Sequence, residues 1–98
     1  MFFVYILYSA KIDKYYIGST QNPYERLKKH NTNHKGFTGK TNDWKIVYKE
    51  EFNSKAEAMK REYFIKNKKS RKFILNLIDT YNNAWVVQSI PTASREGH

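Results

Sequence analysis

The sequence has no cysteine and half as many acidic as basic residues, 9 Asp and Glu against 18 Lys and Arg. Without cysteine it can build no disulfide framework, thiolate nucleophile or cysteine-bound zinc site. Its apolar run over residues 2–8 falls far short of the roughly 20 residues that cross a bilayer and has no basic segment of the secretory kind before it. The expectation is a soluble, cytoplasmic protein with no membrane partner. No internal repeat or low-complexity segment occurs. The acid deficit leaves a formal charge of +9 on 98 residues, the length of one small domain. So dense a positive field favours polyanionic partners, with solubility alone as the plainer explanation.

What is present reads as a short series of elements. Phe2-Phe3-Val4-Tyr5-Ile6-Leu7-Tyr8 is aromatic and β-branched, as a strand buried on both faces would be. Ile12-Asp13-Lys14 makes a polar turn into Tyr15-Tyr16-Ile17-Gly18-Ser19-Thr20, so the two runs pair as an antiparallel hairpin, with Tyr5 and Tyr16 near one another. Asn22-Pro23-Tyr24-Glu25 is a helix start: Asn caps, Pro fits the first turn and Glu meets the positive end of the dipole. On that helix Arg26 and His30, four apart, project from one side, and Tyr24 and Leu27 are expected to turn inward. Residues 31–43 form a basic loop carrying Lys35 and Lys40; so long a loop in a small domain is more often functional than idle. A third strand follows over residues 44–52. Ser54 and Glu57 make a capping box for a long helix, and Ser70 caps another, with Ile74, Leu77, Ile78 and Tyr81 as its buried stripe. The pattern ends at Asn82-Asn83, which places a domain at residues 1–81 and a tail at 82–98, either flexible or with Trp85 folded back onto the body.

Tyr5, Tyr16, Arg26, His30 and Glu62 together supply what phosphodiester hydrolysis needs: a proton acceptor for water, a cation for the phosphorane charge and a carboxylate for a metal. Singly, each has an ordinary structural explanation, and Glu62 has Lys66 four residues on for a surface pair. One carboxylate suits Mg²⁺ or Mn²⁺, which keep several waters and accept phosphate oxygens. The competing metal arrangement, zinc on His30 and His34, has only His98 to add. The basic run of Lys66, Lys68, Lys69, Arg71 and Lys72, preceded by Lys60 and Arg61, has the density of a phosphate-tracking surface and the alternative of a solvated face.

Val4-Tyr5-Ile6, followed eleven residues later by Tyr16-Ile17-Gly18, resembles the GIY-YIG nuclease signature, with Val4 standing where the name has Gly. The likeness continues through Arg26, His30, the stretch from Thr38 to Phe52, and Glu62, and covers residues 2–80. It is of the kind seen in small stand-alone members. The resemblance implies an α/β (α+β) domain, a three-stranded antiparallel sheet flanked by helices, that cleaves DNA with one divalent metal. By that likeness Glu62 binds the metal, Arg26 steadies the scissile phosphate, and Tyr16 activates water with help from Tyr5 and His30. Ser19 stands where the excision-repair branch has lysine, and Asn76 is not at the spacing of that branch's late asparagine. The resulting expectation is a metal-dependent DNA endonuclease; the alternatives are a nucleic-acid-binding module without turnover and a structural protein.

Overall fold

The computed structural model describes residues 1–32 and 36–89, with side chains through Asn83. Three strands, β1 (Phe2–Ser9), β2 (Lys14–Thr20) and β3 (Lys45–Phe52), form an antiparallel sheet in the order β2-β1-β3. Around it lie α1 (Pro23–His30), α2 (Lys55–Lys68) and α3 (Arg71–Ser89), with one 3₁₀ turn at Phe37–Lys40. This is the expected α/β arrangement. β1 is central because Val4, Tyr5, Ile6 and Leu7 are fully buried, which only a strand covered on both faces allows.

The alternation of β1 divides the core in two. Val4 faces α2 and α3, where it packs with Ala58 and Ile65 and is joined by Ile17, Phe52, Phe73, Ile74 and Leu77. Tyr5 and Leu7 face the other way, toward Trp44, Tyr16 and the Leu27 side chain of α1. The β1–β2 register sets Tyr5 opposite Gly18 and Leu7 opposite Tyr16. Tyr5 and Tyr16 are therefore diagonal neighbours on one face, their ring centroids 6.3 Å apart.

The local start signals act as their chemistry requires. Asn22 accepts from the Glu25 N–H at 3.2 Å, and Pro23 occupies the first turn. Ser54 Oγ accepts from the Glu57 N–H and donates back to its carboxylate. Ser70 Oγ caps α3 through the Phe73 N–H.

Three expectations are corrected. Tyr24 does not turn inward: it is 63% exposed, with the Lys49 ammonium 4.9 Å from its ring centroid. The inward face of α1 is carried by Pro23, Leu27 and His30, one step round the helix. The α3 stripe is half-buried rather than buried, and Tyr81 at its end is exposed while still meeting Tyr48 at 5.5 Å between ring centroids. Finally, Asn82 and Asn83 do not end α3, which runs on to Ser89; asparagine is only a weak helix breaker. The Trp85 side chain, Lys35, His34 and His98 lie outside the described set. No helix among the described residues is long and apolar enough to cross a membrane.

Candidate active site

The first half of the site is built on β1, β2 and α1. The phenol of Tyr5 crosses over Gly18, where a Cβ would stand 2.7 Å from the hydroxyl and 2.8 Å from Cζ. Only a residue without a side chain leaves room for that ring. The Tyr5 hydroxyl lies 2.9 Å from His30 Nε2, and His30 Nδ1 lies 2.8 Å from Thr38 Oγ1. Burial, and then the neighbouring Tyr16, push the Tyr5 phenol up to about 12, with the Arg26 guanidinium pulling the other way and Glu62 adding to the rise. Tyr5 thus keeps its proton, and its hydroxyl and Thr38 Oγ1 hold the two ring nitrogens of His30 from either side.

Tyr16 is the half-exposed member of the group, its ring centroid 4.6 Å from that of His30. Arg26 lies beside them on α1, and its buried Nε has no hydrogen-bond partner among the described residues. A buried donor of this kind is costly unless a ligand completes it. Tyr16, Arg26, His30, Lys29, Phe37 and Thr38 line one open groove of about 440 Å³.

The loop that supplies Phe37 and Thr38 is pinned at its base. Asn31 imitates a backbone pair, accepting from the Trp44 N–H at 2.8 Å and donating to the Trp44 carbonyl at 3.2 Å. The Trp44 indole N–H then donates to the Thr38 carbonyl at 2.8 Å. At the far end, Asp43 accepts from the Ser9 and Thr41 hydroxyls and from the Lys11 N–H. These bonds, the Ser9 hydroxyl foremost and Thr41 next, lower the Asp43 carboxyl to about 2.

The second half is Glu62 on α2. Ser19 Oγ donates to its Oε1 at 2.6 Å, and the Lys66 ammonium pairs with Oε2, also at 2.6 Å. The Glu62 side chain is 19% exposed, so it is sheltered without being sealed. A cation thus already sits at Oε2, and a hard divalent ion at this single carboxylate would take the place of the Lys66 ammonium. Among the described residues no cluster of three or more His, Cys, Asp or Glu occurs.

The remaining basic residues named from the sequence are dispersed. Lys66, Lys69 and Arg71 border one cavity, Lys68 lies over the Phe64 and Phe73 rings, Lys72 is exposed and Lys40 sits 5.3 Å over Phe37. Arg71 is paired with Asp13. Three contributors escaped the sequence: Thr38 as the partner of His30, Ser19 as the partner of Glu62, and Phe37 as a groove wall. Ser19 had a signal, since it lies two residues from the inward-facing Ile17 and so on the face toward α2.

A model of the GIY-YIG catalytic domain matches residues 1–76. A UPF0213 protein of Limosilactobacillus reuteri (strain DSM 20016) is 34% identical over 82 residues, covering 76% of this chain and 83% of that protein. No solved structure matches the chain.

Proposed function

The chain belongs to the GIY-YIG family, and from that premise we propose that it is an endonuclease hydrolysing DNA phosphodiester bonds with one divalent metal, Mg²⁺ or Mn²⁺, held by Glu62. The observation that carries this reading is the groove that Arg26 lines together with Tyr16 and His30, a cation beside a phenol and an imidazole; the Nε of Arg26 is buried and has no hydrogen-bond partner among the described residues. The formal charge of +9 attracts a polyanion to it.

Tyr16, acting in its ionised form, takes the proton from the attacking water, being the phenol that faces the groove. Arg26 binds the scissile phosphate and stabilises the charge that grows on it. Tyr5 retains its own proton and, through His30 Nε2, fixes the ring against which Tyr16 rests. Thr38 holds the other nitrogen of that ring, and Ser19 orients the Glu62 carboxylate. The ion supplies Lewis-acid stabilisation of phosphate and leaving oxygens when bound. Lys66 must then yield its place on Oε2 and is free to meet phosphate.

The Lys66–Glu62 pair also favours a second reading, a DNA-binding module without turnover, in which the ammonium permanently neutralises the carboxylate. Incubation of the protein with duplex, branched and single-stranded DNA in Mg²⁺, Mn²⁺ or EDTA separates the two. Nicking that depends on the metal supports the nuclease; salt-sensitive binding with no cutting in any metal leaves the binder.

A further inference from the structure

β2 is an edge strand, and along its free edge runs a cavity of about 500 Å³ that shares Tyr16 and Phe37 with the active-site groove. Its far side is the elbow between α2 and α3. The composition is uneven. Ile17, Ile65 and Ile74 contribute aliphatic surface, Tyr15 and Phe37 add aromatic rings, and the charged residues around them are Lys14, Lys66, Lys69 and Arg71 against Asp13. Asp13 is already engaged by the Tyr8 hydroxyl and Arg71, and Arg71 lies 5.1 Å from the centre of the Tyr15 ring.

A surface that only tracks phosphates needs cations and gains nothing from an apolar floor. Apolar and aromatic surface beneath a cationic rim rewards a planar ring carried on a charged backbone. In a fully paired duplex every base face is covered by its neighbours and cannot reach such a floor. Lys69 adds to the case. It holds a left-handed conformation, φ 46°, at the end of α2, where glycine is favoured, yet this position carries a lysine that lines the cavity.

We propose that this cavity receives an unpaired nucleobase of the DNA substrate, from a nucleotide next to the phosphate held at Tyr16 and Arg26. The inference rests on the nuclease reading for the position of that phosphate. It makes the preferred substrate DNA with an unpaired nucleotide, a bulge or a flap, rather than a perfect duplex.

The test is equilibrium binding of the full chain, in EDTA so that nothing is cut, to a paired duplex and to the same duplex with one unpaired 2-aminopurine. Stacking of a single base predicts about tenfold tighter binding of the unpaired DNA and quenching of the 2-aminopurine emission. Tyr15→Ala should reduce that preference to about twofold, while Tyr15→Trp retains it. Lys69→Glu, at an exposed position that spares the core, should weaken unpaired DNA more than paired. Lys72→Glu, away from the cavity, should weaken both alike. Equal affinity for the two DNAs overturns the proposal. So does a preference that survives both Tyr15→Ala and Lys69→Glu in folded proteins, or a change from dimer to monomer in Tyr15→Ala with no change in preference, which would give the edge of β2 to a second copy of the chain. Cleavage of the same DNAs in Mn²⁺ is scored separately. Absence of cutting with the preference intact counts against the nuclease alone, and cutting without preference counts against the base pocket alone.

Discussion

Tyr5 lies so close over Gly18 that a methyl group on the glycine would stand 2.7 Å from its hydroxyl and 2.8 Å from Cζ. Because Tyr5 is fully buried, its ring has no free space into which to retreat. Gly18→Ala is therefore expected to destabilise the fold by about 1–3 kcal/mol, the usual cost of overpacking. Removing the hydroxyl in a Tyr5→Phe background should not rescue it, since Cζ remains. Chemical denaturation of the two single variants and the double variant checks this; a Gly18→Ala protein as stable as wild type contradicts the close approach.

Much of the fold is legible because it is local. The Asn22-Pro23 start, the Ser54 capping box and the polar turn before Lys14 each act within a few residues, and each forms as the sequence indicates. What depends on pairing is not legible. The contact of Gly18 with Tyr5 and of Ser19 with Glu62 follows from the β1–β2 register, and a shift of one residue would exchange the faces. One turn of helix cannot distinguish a stripe from its neighbour, so the sequence alone points Tyr24 inward; Pro23, Leu27 and His30 carry the inner face instead. The hold of Thr38 on His30 requires the 3₁₀ turn at Phe37–Lys40 inside what reads as plain loop.

A pH dependence follows from Asp43. Its carboxyl is lowered to about 2 from an ordinary 3.8 by the hydroxyls of Ser9 and Thr41 and the Lys11 N–H. A group depressed in the folded state stabilises fully above its unfolded value, and that stabilisation is lost as the pH falls through the folded one. Asp43→Asn should melt below wild type at pH 6, and the two melting temperatures should converge between pH 4 and pH 2. A difference that is the same at both ends would remove the charge of Asp43 from the explanation.

Lys69 offers a change in the opposite direction. In the left-handed conformation at the end of α2 a glycine avoids the clash that a Cβ suffers, so Lys69→Gly is expected to gain about 1 kcal/mol. In a chain of this size that raises the melting temperature by roughly 4–8 °C. Calorimetry of the two proteins is sufficient, and an unchanged or lower melting temperature contradicts the backbone conformation.

We propose that residues after Asn83 are dispensable for folding, because among the described side chains the last apolar position of α3 that meets the sheet is Tyr81. A chain truncated after Asn83 should keep one cooperative thermal transition. Loss of that transition would make the rest of α3 part of the core.

If Glu62 holds the metal and Tyr16 takes the proton, as proposed, DNA cleavage by Glu62→Gln measured beside DNA binding by the same protein decides it. The amide keeps the size of the side chain and can still accept from Ser19, but it gives up the charge that binds a divalent ion. Folding and affinity for DNA in EDTA should persist, while cutting in Mg²⁺ or Mn²⁺ disappears. Tyr16→Phe should likewise bind and lose about 10²–10⁴ in rate, the usual contribution of a general base. A folded Glu62→Gln protein that cuts DNA at the wild-type rate would contradict the assignment outright.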